Sequence, residues 1–281
     1  MRAPCSVALI ALAVSGCSIN LGSLTPSSSA TPEPAKLTSS TNIASLSETI
    51  KSHPDDPQAY NMRGSVLAQA GKTEEALADF NKAISLDANY GQAYANRGLI
   101  YRQTRRLDQA MADYDRAISL DASYAPAYLG RGVVYKARKQ PAEALADFNK
   151  AITLAPDNAE AYYNRGLLYQ AEKQHQFAIE DFTAASGLVP QQAEPLLARA
   201  LSYLAADRPK EAAADLDEAV QADPQNPQAW LTRGLAYERL GDKTKAAGSY
   251  GRAINLRPKD ETARTGFARV GGKPGQTYET F

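Results

Sequence analysis

From residue 57 to residue 260 the apolar residues fall into two helical stripes that recur every 34 residues, with no insertion or deletion. The windows are 57–90, 91–124, 125–158, 159–192, 193–226 and 227–260. Within each, large residues stand at positions 4 and 11, two helical turns apart on one face, as Tyr162 and Tyr169 do in the fourth. A polar break follows. A second stripe then runs through positions 20, 24 and 27, as in Ala178, Phe182 and Ala185. The pattern predicts two short helices per window, A and B, joined by turns such as Lys72-Thr73 and Arg208-Pro209.

Small residues fall where the two helices would meet. Position 8 is Gly in every window except for Ala200, and position 20 is always Ala, which strips bulk from the contact. Position 24 supplies the filling: Phe80, Tyr114, Phe148, Phe182, Leu216 and Tyr250. Pro156, Pro190, Pro224 and Pro258 close the last four B helices, since Pro cannot continue them. One helix pair cannot bury its own apolar face, so the windows must stack, and the expected fold is an all-α solenoid. This order of aromatic, Gly, Ala and Pro over residues 57–260 resembles the tetratricopeptide repeat. The resemblance implies six helix-turn-helix units whose A helices line a concave groove.

The flanks extend the array. Residues 41–56 carry Ile43, Leu46 and Ile50 at helical spacing, with Pro54 where a position-32 Pro would fall, and read as a half-unit capping the front. Residues 261–270, with Ala263, Phe267 and Val270, read as the rear cap. Gly248 and Gly251 lie inside the last B helix, and each costs about 1 kcal/mol relative to Ala. Unit six is therefore expected to fray first.

Residues 1–16 have Arg2 ahead of an apolar run from Ser6 to Val14, the grammar of a signal peptide. Val14-Ser15-Gly16-Cys17 resembles the lipobox of bacterial lipoproteins. That resemblance implies a diacylglycerol on the Cys17 thiol, removal of residues 1–16, and anchoring worth about 0.8 kcal/mol per buried CH₂. The alternative is a secreted protein with an incidental Cys. Ser18, standing where an Asp would favour the inner membrane, points by the same resemblance to the outer membrane, facing the periplasm. Cys5 would be lost with the signal, leaving no disulfide partner. Residues 17–40, rich in Ser, Thr and Pro, cannot offset ordering entropy and read as a tether. Residues 271–281 follow a Gly/Pro-rich stop and read as a disordered tail.

Charge narrows the options further. Lys plus Arg and Asp plus Glu both number 31, so there is no basic excess of the kind nucleic acid requires. No run of about 20 apolar residues exists to span a bilayer as a helix. Position 7, commonly Leu in the repeat family, is Arg in all six units, and position 23 is Asp in five, with Ser249 in the sixth. One reading is a cationic stripe for anionic ligands. The favoured one is a ladder of ion pairs inside the array, Arg97 with Asp113, Arg131 with Asp147 and Arg165 with Asp181, which leaves Arg233 without its Asp.

In the repeat family, positions 2, 5, 9, 12 and 13 of helix A face the groove. Carried over, these give Leu99 and Arg102 in unit two and Leu129, Val133 and Lys136 in unit three. Unit four adds Tyr163, Leu167 and Gln170, unit five Leu197, Leu201 and Leu204, and unit six Leu231 and Leu235. The groove is polar at the front and apolar from unit two onward, the pattern of a protein or peptide site. Shielding of these residues by curvature or self-association is the competing reading.

Chemistry has little to stand on. His53 and His175 read as solvated turn residues, and acidic pairs such as Asp215 and Asp217 as a charged solvent face. No metal-ligand spacing, phosphate loop or nucleophile motif is present, so no metal, no cofactor and no enzymatic activity are expected. The expected function is a lipid-anchored periplasmic adaptor. Its layout resembles outer-membrane repeat lipoproteins that scaffold peptidoglycan hydrolases or a processing protease. A pilotin-type assembly factor for a secretin, pilus or exopolysaccharide exporter is the second reading. A self-associating homo-oligomer in the envelope is the third.

Overall fold

Every 34-residue window becomes a pair of antiparallel helices, because its two stripes face each other across a turn that the backbone closes in the same way each time. The computed structural model describes residues 40–273 and Tyr278. The proposed signal, Cys17, and the tether up to residue 39 lie outside the described residues, as does most of the tail. Among the described residues there are fourteen helices and no strand. The front cap is α1 (Ser40–Ser52). Units one to three are α2 (Pro57–Gln69) with α3 (Thr73–Leu86), α4 (Gly91–Gln103) with α5 (Leu107–Leu120), and α6 (Ala125–Ala137) with α7 (Pro141–Leu154). Units four to six are α8 (Ala159–Ala171) with α9 (His175–Leu188), α10 (Ala193–Ala205) with α11 (Pro209–Ala222), and α12 (Pro227–Arg239) with α13 (Lys243–Leu256). The rear cap is α14 (Glu261–Arg269).

The turn from A to B uses position 15 in the left-handed region throughout: Gly71 (φ 76°), Arg105 (62°), Lys139 (59°), Lys173 (61°), Asp207 (57°) and Gly241 (80°). The next amide then bonds back to the helix end, as Lys72 N does to Leu67 O at 2.9 Å. Such a left-handed cap satisfies carbonyls that the helix end leaves free. Only two of the six positions have the Gly that this conformation favours.

The core of each unit is a side chain at position 24 pressed on a missing one at position 8. A Cβ on Gly132 would lie 2.7 Å from Phe148 Cε1, and one on Gly166 would lie 2.7 Å from Phe182 Cε1. Unit five pairs the smaller Leu216 with Ala200, both fully buried. Where position 24 is Tyr, the longer ring reaches the next unit and demands a second Gly. A Cβ on Gly130 would lie 2.3 Å from Tyr114 Cζ, and one on Gly266 would lie 2.6 Å from Tyr250 Cζ.

The position-7 arginines tie the stack together. Arg131 forks onto Asp147 at 2.8 and 2.9 Å, and Arg165 onto Asp181 at 2.8 and 2.6 Å. Arg97 does the same with Asp113 at 2.8 and 2.7 Å. These aspartates are buried, and the paired fork is the strong geometry for Arg with a carboxylate. The third donor of each Arg crosses to position 25 of the preceding B helix: Asn81 for Arg97, Asp115 for Arg131, Asn149 for Arg165. Arg63 reaches Ser47 of α1 at 3.0 Å, so the cap helix stands in true register. The guanidinium groups of Arg97, Arg131, Arg165 and Arg233 also lie between two rings; that of Arg97 is 5.5 Å from the Tyr94 centroid and 5.8 Å from that of Tyr101.

Three sequence expectations change here. Arg233 does have a carboxylate: its Nε bonds Asp217 at 2.7 Å, Nη1 bonds Ser249 at 2.8 Å, and it is only 2% exposed. Asp215 and Asp217 are accordingly no solvent face, since Asp215 holds Arg199 at 2.7 Å. Unit six belongs to the largest buried cluster, with Trp230, Tyr237 and Tyr250, and Phe267 of α14 packs over it at Gly251. Its glycines are thus covered by packing, and an open cleft of about 270 Å³ lies instead beside α1, lined by Ile43, Ser47, Arg63 and Leu67. In the tail, Tyr278 packs edge-on to Phe267 at 5.8 Å and its hydroxyl accepts from Lys273 N at 2.7 Å.

Candidate functional site

Each A helix touches the A helix of the next unit, while among the described residues no B helix touches another B helix. A stack whose A helices are mutual neighbours curves with them on the inside, and this forms the concave groove. Its lining follows from helix phase. Position 9 contributes Ser65, Leu99, Val133, Leu167, Leu201 and Leu235, every one half-buried and all but the first apolar. Of these, Val133, Leu167 and Leu235 lean on core clusters.

Position 5 turns further inward than expected. Leu129 and Leu231 are buried, as is Leu204 at position 12, and all three belong to the core rather than to an open surface. Curvature is the reason, because neighbouring A helices converge on the inner side and close over these positions. Tyr163 stays half-buried, its ring 5.8 Å from that of Phe182, and Leu197 sits beside the unit-six core. Gln170 is engaged internally, its Nε2 donating to Ala198 O at 2.9 Å and Ser202 Oγ at 2.8 Å.

The front wall is a chain of amides. Asn96 Nδ2 donates to Asn61 Oδ1 at 2.9 Å, and Asn61 Nδ2 donates to the Tyr90 hydroxyl at 3.2 Å. At mid-groove, charges gather from three units. Lys136 Nζ donates to Asn164 Oδ1 at 2.6 Å, and burial together with the nearby Arg102 cation lowers its pKa to about 8. Burial raises the Glu160 pKa, against the pull of Arg102 and Lys136. Tyr114 is raised to about 12 by burial, partly offset by Arg102 beside its hydroxyl. Arg102 Nε is buried with no hydrogen-bond partner. Arg102 and Lys136 stand in the groove as their position in the repeat implies, whereas Tyr114 sits at a scaffold position and Asn164 at one outside the groove-facing set. The signal for Tyr114 was Gly130, which replaces the Asn found at the same position in units two and four and lets the Tyr114 hydroxyl through.

His175 is not a turn residue. It begins α9, half-buried, with Nδ1 sealed and unpartnered. Among the described residues no group of three His, Cys, Asp or Glu is placed to hold a metal, and no helix is long and apolar enough to cross a membrane.

Family models described as tetratricopeptide repeat match residues 125–158, 148–180 and 197–261, and one described as TPR repeat matches 64–104 and 98–139. A comparison with curated proteins gives no significant match. Among solved structures, the APC/C hetero-tetramer Cut9–Hcn1 is similar at TM-score 0.70 and 17% identity, covering 82% of this chain; the chain spans only 46% of that one. Pseudomonas aeruginosa pilF gives TM-score 0.69 at 23% identity, over 76% of this chain and 97% of its own. PilW, described as a widely conserved type IV pilus biogenesis factor, gives 0.66 at 19%, over 74% and 97%.

Proposed function

Because this chain belongs to the tetratricopeptide-repeat family, we propose that it is a lipid-anchored scaffold of the bacterial envelope that holds an extended protein segment in its concave groove. The scaffold role is the family's general one, and stacked repeats serve it by presenting a long curved surface. The observation that carries the groove reading is the unbroken half-buried apolar row from Leu99 to Leu235, one residue per unit at a fixed phase. Cys17 supplies the anchor in this reading and residues 18–40 the spacing from the bilayer. The outer membrane facing the periplasm is the address that Ser18 favours. The partner class in the leading form is a peptidoglycan hydrolase or a processing protease.

A pilus or secretin assembly role is the second form. It is favoured by the near-complete overlap with pilF and PilW, each matched over 97% of its length. Self-association within the envelope is the third.

Palmitate labelling tests the anchor: incorporation that vanishes in Cys17→Ala is expected, whereas soluble release of the unaltered protein would discard it. For the groove, a photo-crosslinker placed at Leu201 should capture a partner that Leu201→Glu no longer co-purifies from envelopes. Mass spectrometry of the eluate then separates cell-wall enzymes from a secretin or from a second copy. An unchanged partner set in Leu201→Glu would reject the groove.

A further inference from the structure

The geometry points to Arg102 and Lys136 as a seat for the carboxylate of an acidic side chain carried by the bound segment. This rests on the groove being the binding surface and adds what it selects.

Three observations converge. The two cations occupy the same register, position 12, on successive A helices, so a chain laid along the groove passes both. Position 12 elsewhere is Ala68, Leu204, or a side chain already engaged: Gln170 with Ala198 and Ser202, Glu238 with Tyr250 and Arg269. Second, the charges do not cancel. Glu160 is the carboxylate near enough to feel both cations, and the group hydrogen-bonded with Arg102 is the neutral Tyr114 hydroxyl, so two cations face one carboxylate. Lys136 has a neutral amide oxygen, that of Asn164, as its hydrogen-bond acceptor. Third, the Arg102 Nε donor is buried without a hydrogen-bond partner, whereas buried donors in proteins are nearly always paired. A carboxylate arriving in this half-dry setting gains more than it would in water.

The occupant is an internal acidic side chain rather than a chain end. The groove continues on both sides of the seat, through Asn96 and Asn61 ahead and Leu167 and Leu201 behind.

The test uses the full-length protein in detergent and short, doubly capped peptides alternating Leu with Glu, or Leu with Gln. The Glu peptide should bind about tenfold tighter or more than its Gln twin, the scale of one charge-assisted pair. Arg102→Met and Lys136→Met should each erase most of that difference. Glu160→Gln should act oppositely and tighten the Glu peptide severalfold, a sign no general loss of folding can mimic. Equal affinity for the two peptides, or a preference that survives the double Met variant, overturns the seat; so does no binding of either peptide. If both peptides bind equally and Leu201→Glu abolishes both, the seat falls and the groove stands. If Leu201→Glu changes neither, the groove reading itself falls.

Discussion

Asp147→Asn and Asp181→Asn make the same change at the same position of adjacent units, and their costs should differ. The aspartate side chains are equally hidden, 7% and 6% exposed, and both partner arginines are 20% exposed. What differs is the third contact. Arg131 keeps the Asp115 carboxylate at 2.7 Å, while Arg165 keeps only the neutral Asn149 oxygen at 2.6 Å. Stripping one partner from a fully buried pair costs about 3–5 kcal/mol. Here the Arg is partly wetted and Asn retains one acceptor, which reduces the loss to about 2–3 kcal/mol for Asp181→Asn. In unit three Asp115 is half-exposed and compensates at the level of a surface pair, so Asp147→Asn should cost about 1–2 kcal/mol. The gap of about 1 kcal/mol corresponds to about 0.3–0.5 M in urea midpoint for an m-value of about 2–3 kcal/mol/M. Urea unfolding followed by far-ultraviolet circular dichroism reads it directly. The double variant Asp115→Asn/Asp147→Asn should fall to the level of Asp181→Asn. Equal midpoints for the two single variants, or a double variant no weaker than Asp147→Asn, would refute the idea that the inter-unit contact shares the charge.

Gly166→Ala drives a Cβ to 2.7 Å from Phe182 and should lose about 1–3 kcal/mol in urea melts; adding Phe182→Leu should recover part of it, recreating the Ala200–Leu216 pairing of unit five. Lys173→Gly relieves a left-handed residue (φ 61°) and should gain about 0.5–1 kcal/mol in thermal melts, whereas Gly71→Ala should lose a similar amount. Lys136 has its folded pKa lowered to about 8, below the ordinary 10.5, so between those values the unfolded chain holds the extra proton and stability must rise with pH. That slope should be absent in Lys136→Met when urea melts at pH 8 and pH 10 are compared; Tyr114, raised to about 12, opposes it only above pH 10. Hydrogen exchange should open α1 before unit six, since Ile50 is the one buried residue among the described side chains of α1, while unit six sits in the largest core cluster of the described residues.

The repeat frame was legible because side-chain size at positions 4, 8, 20, 24 and 27 is dictated by local helix contact, and the 34-residue period multiplies a weak signal by six. The ladder was legible for a similar reason: Arg131 and Asp147 recur at one fixed offset. What escaped was whatever depends on the next unit. The exchange that gives Arg233 to Asp217 needs the knowledge that position 25 of one unit faces position 7 of the following one. The tie between Tyr114 and Gly130 crosses the same boundary. Burial of Leu129, Leu204 and Leu231 depends on superhelical curvature, which no single unit encodes. The left-handed turn at Arg105, Lys139 and Lys173 was hidden because those residues lack the Gly that would announce it.

The inter-unit contacts also constrain which unit could be cut out of the array. Excising residues 193–226 would set Thr183 where Arg233 now finds Asp217, leaving a deeply buried guanidinium with no carboxylate. Excising 125–158 would bring Asn164 onto the Tyr114 ring, which tolerates only Gly. Residues 159–192 carry neither obligation: Arg199 would keep Asp215 and meet Asn149, and Ala198 would meet Phe148 as it now meets Phe182. Unit four is thus free of the two boundary constraints that fix units three and five, and what its removal would take away is the groove cluster instead, Asn164 from Lys136 and Glu160 from the two cations.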